Sequence, residues 1–246
     1  MSTSGFTPRF LSPTRWLPVV LTSLALAACG GGGNGNGNGN GNGQHGGPTD
    51  AEAAQLIAAI LSRPVEVLSP AESAGLVWVR EEEKLAHDVY AAAATRWGLQ
   101  TFINIGTSET MHMRAMKALL DRYTLVDPNA GMTDGQFQRP AFQTLYTQLT
   151  SKADLSLVDA LQVGLEIEEL DIKDIETEKL SVDNADVLYA YNELLRGSRN
   201  HLRAFWKQLQ QQGGSYTPSH ITQAEFDAIA NSATETTPLA ATVTAQ

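Results

Sequence analysis

Glu109-Thr110-Met111-His112 sets a carboxylate and an imidazole three residues apart. On a helix both side chains leave one face and aim at one point. Laying a three-four seam along each long helical segment puts further groups of this kind where a leucine or isoleucine is expected. The first seam reads Leu76, Val79, Glu83, Ala86, Tyr90, Ala93, Trp97. The second reads Ile105, Glu109, His112, Met116, Leu119, Tyr123. The third reads Val158, Leu161, Leu165, Glu168, Ile172, Ile175, with Asp171 beside it and one turn beyond Glu168. The fourth reads Leu188, Tyr191, Leu195, Ser198, Leu202, Phe205, with His201 three residues after Ser198. An isolated buried carboxylate must be paired, protonated or metal-bound. Four acids and two histidines do not readily neutralise one another, whereas divalent cations would. A mixed carboxylate and imidazole set suits iron or manganese. The competing readings are a buried Glu109–His112 ion pair without metal, surface positions for Glu83 and Glu168, a core histidine at 201, and an exposed or Arg-paired Asp171. Glu81 and Glu82 fall off the first seam and read as solvated, as do Glu169, Asp174 and Glu176. Met111, Met113 and Met116 read as core and flank.

The elements that must position these groups are helical almost throughout. A short helix is expected over 50–62, ending before Pro64. Ser69-Pro70-Ala71-Glu72 carries an N-cap, a proline at the first helical position and a capping-box Glu; that helix runs to about Trp97 and Gly98. Further helices are expected over 101–123, 140–152, 156–180, 185–211 and 222–231, with a loop at 124–140 and no strand. Four long helices with short accessories imply an all-α bundle. Glu168 and Ser198 lie at matching depths on either side of the turn between their helices. Glu83 and Glu109 do not, so "WGLQT" is expected to run back extended for about 13 Å.

At these residues the chain resembles the ferritin-like superfamily, rubrerythrin-type four-helix bundles in particular. "EKLAHDVY", Glu83 to Tyr90, looks like the Glu-x-x-Ala-Arg-x-x-Tyr segment of the first rubrerythrin helix. "ETMH" looks like the Glu-x-x-His of the second, and "EIEELD", Glu166 to Asp171, like the third. "REEEKLAHDVY", "SETMHM", "IEELDIKDIE" and "LLRGSRNHLRAF" together resemble more closely an uncharacterised family, domain of unknown function number 2202. The resemblance spans about residues 70–230. It implies a ferritin-like bundle whose metal ligands are Glu83, Glu109, His112, Glu168, Asp171 and His201, holding iron, two ions per chain, with manganese as the alternative. One departure matters: the fourth helix of the full pattern carries Glu-x-x-His, and here that slot reads Ser198-Arg199-Asn200-His201. Asp171 would partly substitute; otherwise one ion is held well and the second weakly. His87 stands where rubrerythrins tend to have Arg, and no rubredoxin-like Cys pairs are present.

The formal net charge is −10, and no basic patch or stripe suggests nucleic acid. Arg9 and Arg15 precede the apolar run "WLPVVLTSLALAACG", which reads as a secretory signal over residues 1–28. Its ending, "LAAC", resembles a bacterial lipobox, implying lipidation at Cys29. Cys29 is the sole cysteine, so no internal disulfide forms. The alternating Gly and Asn that follow, to residue 49, have nothing to bury and read as a flexible tether, His45 included. The helical domain is placed at 50–232 and a polar tail at 233–246. The expected setting is the bacterial cell envelope, periplasmic or outer-membrane side. The expected partners are a membrane through the lipid anchor, a metal ion and a second copy of the chain. Two function classes follow. One is a di-iron oxidoreductase working on ferrous ion or peroxide, with Tyr90 as a core residue or electron donor. The other is a non-catalytic scaffold with one structural metal or none, acting as a binding module in the envelope.

Overall fold

The computed structural model describes residues 47–236, which form seven helices and no strand. The signal segment, Cys29, His45 and most of the tether lie outside the described residues, as does the end of the polar tail. The helices are α1 (Asp50–Leu61), α2 (Pro70–Trp97), α3 (Gln100–Arg122), α4 (Pro140–Ala153), α5 (Leu157–Lys179), α6 (Ala185–Gln211) and α7 (Gln223–Ala230).

Local chemistry explains where they start and stop. Thr49, Ser69 and Thr222 each accept from the backbone N–H three residues on, and Glu52, Glu72 and Glu225 reach back to close capping boxes. Pro70 and Pro140 open α2 and α4, where a missing N–H costs nothing. Gly98 ends α2 in the left-handed region, φ 63°, which glycine enters without steric cost. Only Gly98 and Leu99 separate α2 from α3. The expected extended "WGLQT" is therefore absent, because Gln100 and Thr101 already belong to α3. The depth mismatch it was meant to correct is met differently. His112, one turn beyond Glu109, comes level with Glu83.

The four long helices pack in a ring, α2 on α3, α3 on α6, α6 on α5, and α5 on α2. Each neighbouring pair is antiparallel. At one end the Glu72 carboxylate, besides closing its own cap, accepts from the N–H groups of Asp183 and Asn184, at 3.1 Å each. At that same end Arg122 of α3 donates to Asp186 of α6 at 3.0 Å. At the other end Tyr90, Phe102 and Phe205 form an aromatic cluster. Leu76, Val79, Leu119, Leu161, Leu165 and Leu202 fill the axis and are fully buried. Each such side chain contributes about 1.5–3 kcal/mol through loss of contact with water.

Two solvated-face expectations are corrected. Glu81 and Glu82 are buried: the loop between α3 and α4 folds over Glu81, while Glu82 acts on Asp171 of α5 and Tyr191 of α6. Glu81 accepts from the Arg139 N–H at 2.9 Å and pairs with its guanidinium. The same loop brings Asp127 to Arg80. Glu169 and Asp174 are buried as well: residues 219 and 220 cross over α5 and donate both their N–H groups to Glu169 at 2.9 Å. Glu176 does face solvent. Glu235, placed by the sequence in the polar tail, is clamped to α6 by Arg199 and Arg203, while its N–H donates to Asn200.

Candidate metal centre

Midway along the ring, α2, α3, α5 and α6 each turn ionisable groups inward. Glu83, Glu109, His112, Glu168 and Asp171 are at most 1% exposed, and His201 is buried beside them. The seam explains how Glu83, Glu109, His112 and Glu168 arrive there, since each occupies a core position of an otherwise apolar stripe, while Asp171 and His201 lie one turn from a seam position on nearly the same face.

Glu109 is the hub. One of its oxygens lies 2.8 Å from His112 Nδ1, and the other lies 2.8 Å from His201 Nδ1. Glu83 approaches His112 Nδ1 at 3.2 Å, and Glu168 approaches His201 Nδ1 at 3.5 Å. The result is two ligand trios, Glu83–Glu109–His112 and Glu109–Glu168–His201, sharing Glu109. The two imidazole rings are 5.6 Å apart, centre to centre. Asp171 is in neither trio. Its charge acts most strongly on the Glu83 side of the centre, and neither of its carboxylate oxygens has a hydrogen-bond partner.

Ser108, outside the sequence reading, and Tyr90, within it, hold this set in place. His201 Nε2 and Ser108 Oγ share a hydrogen bond at 2.9 Å, which turns Nδ1 inward. Ser108 carries a signal that was legible: it lies three residues after Ile105 and four before His112, on the same face. Tyr90, read as core or electron donor, donates its hydroxyl to Glu168 Oε1 at 2.6 Å. Ser198 is buried at the centre's edge, and its hydroxyl donates to Leu194 O at 3.2 Å. The α6 slot thus offers no ligand in place of the missing Glu. His87, half-buried, contacts Asp88 instead of the centre.

The electrostatics are those of a site short of positive charge. Burial pushes Glu83 up to about 7 and raises Glu168. Burial, together with the charges of Glu83, Glu82 and Glu168, raises Asp171 far above the usual carboxylate range. Burial opposes ionisation of Glu109 too, but the His201 and His112 charges outweigh it and hold Glu109 well below that range. Burial likewise works against charged imidazoles, yet Glu83 and Glu109 outweigh it and raise His112 to about 9. Glu109 and Glu168 do the same for His201.

Do these residues fit a metal? Glu109 Oε1, Glu168 Oε2 and His201 Nδ1 are buried without a hydrogen-bond partner, although His201 Nδ1 and Glu109 Oε1 are only 2.8 Å apart. They are close without being aligned for a hydrogen bond. Two donors sharing one ion at about 2.1 Å each, at a right angle, stand about 3.0 Å apart. The observed 2.8–3.5 Å spacings match that separation. Four carboxylates would also balance the charge of two divalent ions. The buried Glu/His clusters could therefore hold metal ions.

The model of the family described as "Uncharacterized protein domain (DUF2202)" matches residues 72–233. The chain is 46% identical over 176 residues to "Uncharacterized protein MJ0754" of Methanocaldococcus jannaschii, covering 72% of this chain and 95% of that protein. The crystal structure of that hypothetical protein superposes with a TM-score of 0.69, covering 70% of this chain and 98% of that one.

Proposed function

The chain belongs to the DUF2202 family, and from the buried centre of this member we propose a ferritin-like, di-iron-carboxylate oxidoreductase acting on ferrous ion or peroxide. The observation that carries the reading is Glu109, whose two oxygens each face a different histidine Nδ1 at 2.8 Å. A carboxylate in that position is a bridge between two ligand sets. Glu83 and His112 would hold one ion and Glu168 and His201 the other, with Asp171 supplying a further carboxylate on the Glu83 side. Iron bound there would supply electron exchange with an oxidant, its ferric state favoured by the carboxylates.

The chain's own groups prepare the site. Ser108 holds His201 Nε2 by a hydrogen bond, so Nδ1 stays directed at the carboxylates. The Tyr90 hydroxyl engages one oxygen of Glu168 and leaves the other facing His201. While no cation is near, burial and the neighbouring carboxylates favour the protonated form of Asp171. The surrounding apolar layers exclude water and strengthen each of these interactions.

A second reading is favoured by one observation, the Ser198 hydroxyl turned back onto Leu194 O. It is a scaffold holding one structural ion. Metal content separates the two. The full-length protein, loaded anaerobically with ferrous iron, is expected to retain about two ions per chain and to develop an oxygen-dependent near-ultraviolet absorption. One ion with no such absorption would establish the scaffold reading instead.

We also propose that the domain works at a bacterial envelope membrane, held there by a lipid on Cys29. The lipobox-like "LAAC" and the Gly/Asn segment after it support this. Among the described residues no helix is long and apolar enough to cross a membrane, in keeping with an anchored domain.

A further inference from the structure

Gly197 lies in the interior of α6, where a helix ordinarily prefers alanine to glycine. Its φ is not positive, so backbone conformation does not require glycine there. A neighbour does. A Cβ built at 197 would fall 2.5 Å from both Cε1 and Nε2 of His112, closer than such atoms approach, while remaining 3.8 Å from Nδ1. The Cε1–Nε2 edge of the ring is thus laid against the α6 backbone. Nδ1, the next ring atom after Cε1 and farther from α6, faces Glu83 and Glu109.

We propose that Gly197 is a positioning residue: the missing side chain forms a seat for the His112 imidazole and thereby selects Nδ1 as the nitrogen presented to the carboxylates. The ring is buried, the two carboxylates meet it at Nδ1, and α6 lies against Cε1 and Nε2. The flanking Ser198 hydroxyl is spent on Leu194 O, so α6 orients the ring by shape and not by a side-chain hydrogen bond. The Gly-Ser pair therefore explains why this helix lacks an inward carboxylate at that level: the space belongs to a histidine from α3. A Cβ at 197 would drive the ring, the more mobile partner, off the Glu83–Glu109 side of the centre.

The functional meaning of the seat rests on the metal reading, but the seat can be tested without metal. Gly197→Ala is made in the full-length protein, with Gly214→Ala as the packing control. The latter sets a Cβ against Leu209 and Val158, away from the centre. In metal-free protein the ring 15N resonances of His112 should move in G197A and stay in place in G214A. On anaerobic titration with ferrous iron, G197A should bind one of the two ions about 10–100-fold more weakly, the usual consequence of disturbing a ligand's support. Wild-type resonances in G197A would overturn the proposal, as would two ions at wild-type affinity. Moved resonances in a protein whose parent binds no iron would leave the seat standing and overturn the metal reading. If G197A fails to fold, the double variant G197A/H112A decides. Removing the ring removes the clash, so the fold should return; a double variant no better folded than G197A overturns the proposal.

Discussion

At the scale of single residues, the centre depends on Glu109 more than on any of its neighbours. It alone faces both imidazoles. Glu109→Ala is expected to abolish retention of both ions, whereas Glu83→Ala should spare the ion beside His201; metal analysis after gel filtration distinguishes the two. The control belongs at Glu176, whose side chain is half exposed. Glu82, which periodicity alone would nominate, is buried and acts electrostatically on Asp171. If Glu176→Ala lost metal as completely as Glu109→Ala, the assignment of the centre would fail. These ligand-type residues were legible because each interrupts an apolar stripe or lies one turn from a position on it. Ser108 and Gly197 were harder to see, since small residues are common on helix faces and their importance lies in the imidazole each one meets.

At the scale of the elements, Glu72 links the start of α2 to the turn between α5 and α6. It closes the α2 capping box and also receives the Asp183 and Asn184 N–H groups from the α5–α6 turn. Glu72→Ala leaves several backbone donors without their acceptor, and about 2 kcal/mol of stability should be lost, measurable as a lowered urea midpoint at constant slope. The strap after α7 gives a pH test. Hydrogen bonds and charge from Arg199 and Arg203 depress Glu235 to about 2. A depressed carboxylate stabilises fully above its unfolded value of 4.5 and loses that contribution as pH falls through about 2. The Glu235 amide resonance should therefore move toward its unfolded position over that window. A strap still fixed below pH 2 would show that the Asn200 contact and packing hold it without the charge.

At the scale of the whole molecule, the proposal joins an anchored N-terminus to a domain that folds and binds its ions in water. Cys29→Ser should move the protein from the membrane fraction to the soluble fraction while leaving metal content unchanged, read by fractionation and metal analysis together. Loss of metal in the released protein would mean that the membrane contributes to the site. Membrane retention of the variant would remove the lipid from the account.

What the sequence determined by itself is local. Caps at Ser69 and Thr222, prolines at 70 and 140 and the glycine at 98 act within a few residues, so the helix boundaries could be read directly. The apolar period also located Glu83, Glu109, His112 and Glu168 as buried, with Asp171 and His201 one turn from seam positions, because a helix carries its own record of which face is covered first. Only the tertiary structure decided what covers the remaining faces. Glu81 and Glu169 are buried by the Arg139 loop and by residues 219–220, each about 50 or more positions away along the chain, and no period within one helix encodes such a neighbour. Likewise the sharing of Glu109 between two histidines and the seating of His112 on Gly197 depend on how α3 and α6 meet. That meeting depends on side chains from several helices packing together, so it exists only once the bundle has formed.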